Sequence, residues 1–382
     1  MIPQCYEGRE QAYVKHQLLE GYLERLFMII GQYEKSVCYV DCFAGPWLEG
    51  TDDMSDTSIS ISLKIISKCR EGLAKLGKNV KFRALFIEKE IAPFKKLENF
   101  LARDEWSGIE TKPLCGEFYN LRDDILNWCG PNDFAFFFID PKGWKKAVEI
   151  PTLLPFLTRP KSEILINFMF DFLRRFHSKP EFEEDMKEIF SKVPDTMDMP
   201  PDDKEDYMMN LYINHIKDAQ NSISGKPRCA YVKILDPCIN KTKYDLIYLT
   251  RHSLGIKVFY AESEQLDFIQ RQVRAEAKQK KRMERTGQME LFPDHKAIVK
   301  NKNDIDIEII KSYWLSKLSN QPKMFGVDEL ADMLEETGWF ESDLQRAFRE
   351  LQKEKKVSNL NAQRIRPVYA VHFDHNEHLV KI

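Results

Sequence analysis

Apolar residues recur at helical spacing from residue 10 to residue 32. Tyr13, Leu18, Leu19, Tyr22, Leu23, Leu26, Phe27 and Ile30 predict an amphipathic first helix. Short, mainly apolar runs then follow at 37–40, 82–87, 134–139 and 164–168. The first three each end in an acid, namely Asp41, Glu88 and Asp140. Between the runs the spacing predicts helices over 58–76, with Thr57 as N-cap, over 92–102 and over 120–128. Apolar strands alternating with helices predict a parallel sheet covered on both faces, with a ligand site beyond the carboxyl ends of its strands. Two β-like runs at 230–235 and 244–250, followed by one at 255–260, are expected to finish the sheet with an antiparallel pair.

The pattern changes twice. Residues 181–206 hold eleven acidic residues against three lysines, with Pro194, Pro200 and Pro201 among them, and read as a helical insertion or lid. Residues 271–285 carry seven basic residues against Glu276 and Glu284, and read as a solvated linker helix. Beyond it the spacing predicts a helix over 304–318, an extended 323–325, helices over 327–336 and 341–355, and a β-hairpin over 357–373, which is the order of a winged helix. The expected organisation is therefore an α/β, Rossmann-like domain over 1–268 with an insertion at 172–228, a basic linker over 269–300, and a winged-helix-like domain over 301–382.

Composition narrows this frame. The chain has 382 residues, 43% of them hydrophobic, which suits two or three folded domains. A net charge of −3 gives no global field for nucleic acid, so any such contact must come from a local basic patch. No run reaches the ~18 apolar residues of a membrane span, and the polar N-terminus does not read as a signal peptide. The eight cysteines contain no C-x-x-C pair, which argues against a zinc site and suits buried thiols in the cytoplasm.

Candidate chemistry gathers at the strand ends. In Asp41-Cys42-Phe43-Ala44-Gly45-Pro46 a buried strand delivers an acid, and a small-small pair then lets the backbone approach a ligand. Amides near Ala44 and Gly45 are placed to meet a cofactor carboxylate. No G-x-G-x-x-G is present, so the pattern does not read as a phosphate cradle. Glu88 is suited to hold a ribose diol. Glu117 is suited to hold an adenine amino group, with Phe118 near the ring. Asp140-Pro141 fixes a rigid turn facing the reaction centre, and Trp144 offers either a stacking face or simple packing. Taken singly, each acid also reads as the cap of the next helix. Arg174, Arg175 and His177 read as a solvated face, and His252 as structural.

The run Asp41-x-Phe43-Ala44-Gly45-Pro46, the later Asp140-Pro141-x-Gly143 and the first helix with Lys15, Leu19 and Tyr22 resemble the three-Cys-motif partner (TcmP) family, over roughly residues 10–265. That resemblance implies a methyltransferase-like fold with S-adenosylmethionine as cofactor. It also implies a partner bearing a three-cysteine, radical-SAM-like motif. By it, Asp41, Phe43, Ala44 and Gly45 correspond to motif I, Glu88 to the ribose acid and Asp140-Pro141 to motif IV. The chain departs from the family in having Trp47 where glycine is usual and Asp56-Thr57-Ser58 where Gly-Ser-Pro is usual. Its Asp-Pro-Lys-Gly also differs from the Asp-Pro-Pro-Tyr of amino-methyltransferases.

In the C-terminal module Arg346, Arg349 and Lys353 share one helix face, and Arg364 and Arg366 lie in the wing, a pattern suited to DNA or RNA. The acidic preceding helix suits a protein partner equally well. Two functions follow. One is an S-adenosylmethionine-dependent methyltransferase acting on nucleic acid with a partner protein. The other is a catalytically degenerate adaptor that docks a partner or DNA through its winged helix. A nuclease or nucleotide-binding enzyme ranks behind both, since the chain has no P-loop and no tight acidic cluster.

Overall fold

The computed structural model describes residues 2–45, 57–141, 143, 146–169, 179–220, 225–286 and 306–382. The chain forms two compact units, residues 1–251 and 252–382.

The first unit is built on a seven-stranded sheet. Its strands are β1 (Ser36–Asp41), β2 (Lys81–Glu88), β3 (Glu110–Cys115), β4 (Phe134–Ile139), β5 (Ser162–Phe168), β6 (Arg228–Leu235) and β7 (Thr242–Thr250), in the spatial order β3-β2-β1-β4-β5-β7-β6. The first five are mutually parallel, while β7 runs antiparallel to both β5 and β6. The central strands are buried along nearly their whole length, as continuous apolar runs require of a two-faced sheet. The less apolar β3 takes the edge, where Pro113 costs no central ladder bond.

Helices α1 (Glu10–Ile30), α2 (Ser58–Lys75), α3 (Ile91–Leu101), α4 (Arg122–Cys129) and α5 (Ile150–Leu157) cover the sheet. The Thr57 side chain accepts the Ser60 amide at 3.3 Å, the predicted cap of α2. The acidic segment holds α6 (Glu183–Phe190) and the start of α7 (Pro201–Ala219). They bury Met186, Ile189, Phe190, Met209, Tyr212 and Ile216 in the same core as β4 and β5. Of the two readings, insertion or lid, the packing favours the insertion: most of the charges lie outward, Glu205 being a buried exception, and the apolar stripe makes these helices a packed layer.

The second unit opens with α8 (Ser253–Thr286), so the strand expected over 255–260 is helical. Ile256, Phe259, Tyr260, Ser263, Leu266, Gln270 and Val273 are buried at intervals of three and four, and a short apolar run is carried into a longer helical period. The domain break expected after residue 268 falls inside this helix. Next come α9 (Ile307–Lys317), β8 (Lys323–Phe325), α10 (Val327–Thr337), α11 (Glu341–Lys353), β9 (Val357–Asn359) and β10 (Glu377–Lys381). The second wing strand is 377–381 and does not end at 373 as expected. Its alternation, with Glu377 and Leu379 buried, fits the central position in the sheet β8-β10-β9. Trp314 anchors this unit. Its ring meets Phe325 and Phe348 at 5.5 and 5.0 Å, and its indole N–H donates to the Leu344 carbonyl at 2.9 Å.

Candidate functional site

Parallel register brings the carboxyl ends of β2, β1, β4 and β5 to one edge of the sheet. Glu88, Asp41, Asp140 and Asn167 stand there in that spatial order. The strand order reverses between β1 and β4, so Asp41 and Asp140 flank the crevice where open α/β sheets bind ligands.

Asp41 is fully buried. One carboxyl oxygen accepts the Phe43 amide at 3.1 Å, closing a turn, and the other accepts the Ser58 hydroxyl at 2.6 Å. Burial pushes its pKa up to about 6, against these two hydrogen bonds, which hold it down. The amides that follow are largely committed to the fold: Cys42 donates to the Phe138 carbonyl at 2.9 Å and Ala44 to the Ile87 carbonyl at 2.8 Å. The Ala44 amide, expected to face a ligand, is thus engaged by the Ile87 carbonyl.

Asp140 lies under α1. It is ion-paired with Lys15, and Asn167 Nδ2 donates to its other oxygen at 2.5 Å. Burial alone would raise its pKa, but Lys15 and Asn167 outweigh burial and hold the carboxyl below the ordinary range. Asn167 is 5% exposed, and its Oδ1 has no hydrogen-bond partner among the described residues. Glu88 is buried and accepts the Glu90 amide at 2.7 Å, which fixes the carboxylate at the tip of β2.

At the tip of β3, Gly116 adopts φ +148° and donates its amide to the Glu88 carbonyl at 3.1 Å, a conformation that favours glycine. Glu117 is half-exposed and lies 3.4 Å from Lys89 Nζ. Phe118 is buried in the core, where its ring meets Phe43 at 5.5 Å and Phe156 at 5.2 Å. Pro141 is buried beside Asp140. Pro46, Trp47, Trp144, Arg174, Arg175 and His177 lie outside the described residues.

Sequence reasoning passed over Asn167 and Ser58. Asn167 had a signal: it is the one polar residue in an otherwise apolar run, at the end facing the site. Ser58 looks like an ordinary first-turn serine, and its bond to Asp41 depends on where α2 docks.

Four of the five basic residues singled out in the winged helix are tied into their own domain. Arg349 donates to the carbonyls of Arg366 and Val368, at 3.2 and 2.5 Å. Arg366 pairs with buried Glu377 at 2.7 Å, Arg346 with Asp343 at 3.3 Å and Lys353 with Glu350 at 2.7 Å. Arg364 is exposed. Among the described residues there is no cluster of three or more His, Cys, Asp or Glu able to hold a metal, and no helix is long and apolar enough to cross a membrane.

Residues 277–364 match the model of the GMT-like wHTH domain. No curated protein matches the chain. Among solved structures, the chain is similar to an O-methyltransferase from Bacillus cereus in complex with SAH, at 11% identity and a TM-score of 0.33, over 60% of this chain and 79% of that one. It is also similar to a DUF519 protein from Legionella pneumophila, at 10% identity and a TM-score of 0.34, over 63% and 85%. The strand order and the antiparallel β7 make the first unit a Rossmann-like sheet of the class I methyltransferase type, and the second unit is a winged helix.

Proposed function

We propose that the chain is an S-adenosylmethionine-dependent methyltransferase. The observation that carries this reading is the row of acceptors at the carboxyl edge of the sheet: buried Glu88 and Asp41, part-buried Asp140, and the Oδ1 of Asn167, which has no hydrogen-bond partner among the described residues. S-adenosylmethionine offers an ammonium, a ribose diol and an adenine amino group, all hydrogen-bond donors, so its chemistry fits this row better than a phosphate ligand does. Glu88 would take the diol, Glu117 the adenine amino group, and the loop from Asp41 to Pro46, with Phe43 and Gly45, the methionine end. Phe118 would act from beneath, by backing Phe43.

The bound sulfonium supplies an activated methyl group, so the protein's task is mostly positioning. Asp140, held ionised by Lys15, would accept a hydrogen bond from the methyl acceptor beside Pro141, with Trp144 as a stacking face. We assign the acceptor to nucleic acid, presented with the help of the winged helix through Arg346, Arg349, Lys353, Arg364 and Arg366. A protein with a three-cysteine, radical-SAM-like motif would act as partner.

Calorimetric titration of the full chain with S-adenosylhomocysteine tests the cofactor assignment. Binding is expected, with its heat abolished in Asp41→Ala. Absence of heat at millimolar ligand overturns it. The second reading, a catalytically degenerate adaptor, is favoured by one observation: both oxygens of Asp140 are already engaged within the fold. Copurification of a partner, with no transfer of a labelled methyl group to nucleic acid or protein, selects that reading.

A further inference from the structure

The opposite edge of the same sheet carries a second concavity. At the amino ends of β1, β2 and β3 lies a cleft of about 450 Å³, lined by Lys35, Arg70, Asn79, Lys81, Ser107 and Gly108. It contains three cations against one carboxylate, Glu110, which is itself shared between Lys81 at 2.5 Å and Arg83 at 3.1 Å. These two pairings hold Glu110 below the ordinary carboxylate range, Lys81 being the larger influence, so it stays ionised and neutralises part of the charge. A positive excess remains around Lys35 and Arg70.

Arg70 reaches the cleft from α2, and its guanidinium packs against Gly108. A Cβ at position 108 would fall 1.3 Å from Arg70 Nη1 and 2.1 Å from its Cζ. Gly108 has no left-handed backbone angle to explain it, so its use here is space: it lets the guanidinium lie at the cleft wall. A planar guanidinium seated this way offers a fork of N–H donors, the geometry that matches a phosphate oxygen pair. Lys35 adds a mobile ammonium, and Asn79 and Ser107 add neutral polar groups.

We infer that the cleft at the amino ends of β1–β3 is an anion site for a phosphate ester of nucleotide size, with Arg70 as its fork and Gly108 as the seat of that fork. The volume falls within the ~300–1,000 Å³ of small-ligand sites. A concavity of this kind suits a terminal phosphate on a compact molecule rather than the repeating phosphates of a duplex, which would call for an extended basic strip. The site lies at the edge of the sheet opposite the cofactor row and does not depend on it.

Calorimetry on the full chain at low salt, with adenosine monophosphate and separately with inorganic phosphate as probes, tests the assignment. Adenosine monophosphate is expected to bind in a salt-sensitive manner, and inorganic phosphate to compete with it. Arg70→Ala and Gly108→Ala are each expected to weaken binding at least tenfold, and Arg70→Lys to restore it only in part. Excess S-adenosylhomocysteine, directed at the far edge, is expected to leave it unchanged. Circular dichroism melts confirm that the variants are folded. Absence of heat at millimolar probe, or equal binding by wild type and Arg70→Ala, overturns the proposal. So does binding of a single-stranded oligonucleotide without binding of the monophosphate, which would give the cleft to a polymer. Displacement of adenosine monophosphate by S-adenosylhomocysteine would move the nucleotide to the cofactor edge and overturn it as well.

Discussion

Removing the cation of the Lys15–Asp140 pair should destabilise the first unit and reverse the pH dependence of that site. Lys15→Met keeps most of the aliphatic stem, and the two side chains are 12% and 19% exposed. Removing one member of a buried pair costs about 3–5 kcal/mol. Asn167 still donates to Asp140 in the variant, and the carboxylate keeps some solvent, so we expect roughly 2–3 kcal/mol. For a unit of this size that lowers the melting temperature by roughly 4–12 °C.

In the wild type the Asp140 pKa lies below its unfolded value. Its stabilisation is therefore present above the unfolded pKa and lost as pH falls through the lower folded one. Without Lys15, burial dominates and the folded pKa rises above the unfolded one. Stabilisation is then greatest when Asp140 is protonated and is lost as pH rises. The gap between wild type and variant should be widest near neutrality and narrow toward about pH 4. Scanning calorimetry of the full chain, following the transition of the first unit, measures it, because two units need not melt as one. Lys15→Arg should retain most of the stability. A shift under about 1 °C at neutral pH, or one equally large near pH 4, refutes the reasoning.

Asp41→Asn should remove a titration near pH 6. The wild-type carboxyl has its pKa raised to about 6, so its favourable contribution is complete below the unfolded value near 3.9 and is lost as pH rises through 6. The variant should gain relative to wild type by up to roughly 3 kcal/mol between about pH 4 and 8, read from unfolding midpoints across that range. Arg349→Ala should loosen the wing rather than merely weaken a binding face. Loss of its two carbonyl contacts should cost about 1–3 kcal/mol and speed amide exchange over residues 360–372, and unchanged exchange there would return Arg349 to a surface role.

The parts of the fold that rest on periodicity could be read from sequence. The apolar runs became β1, β2, β4 and β5, and the acids that close the first three stand at one edge because parallel strands place equivalent ends together. Short apolar runs were ambiguous. Residues 255–260 suit a strand by composition, and only their continuation to Val273 reveals the helix. The site was legible as a set of acids but not as a set of bonds. Whether the Ala44 amide faces a ligand or the Ile87 carbonyl depends on how the tip of β1 meets β2, and the Lys15–Asp140 contact spans 125 residues of sequence. The basic face of α11 was visible by spacing. Its partners Asp343, Glu350 and Glu377, and the wing carbonyls, became evident only with the hairpin in place.

The antiparallel return of β7 has a consequence for synthesis. Ile164 of β5 pairs with Leu249 of β7, so the apolar edge of β5 has no ladder partner on that side until 85 further residues have been made. At translation rates of about 5–20 residues per second, this leaves the strand open for roughly 4–17 s. An uncovered, flat, apolar strand is the kind of edge that recruits other chains. Nascent protein stalled or cleaved before residue 242 should therefore be a substrate for chaperones and a seed for aggregation, even though five of its seven strands could already have assembled.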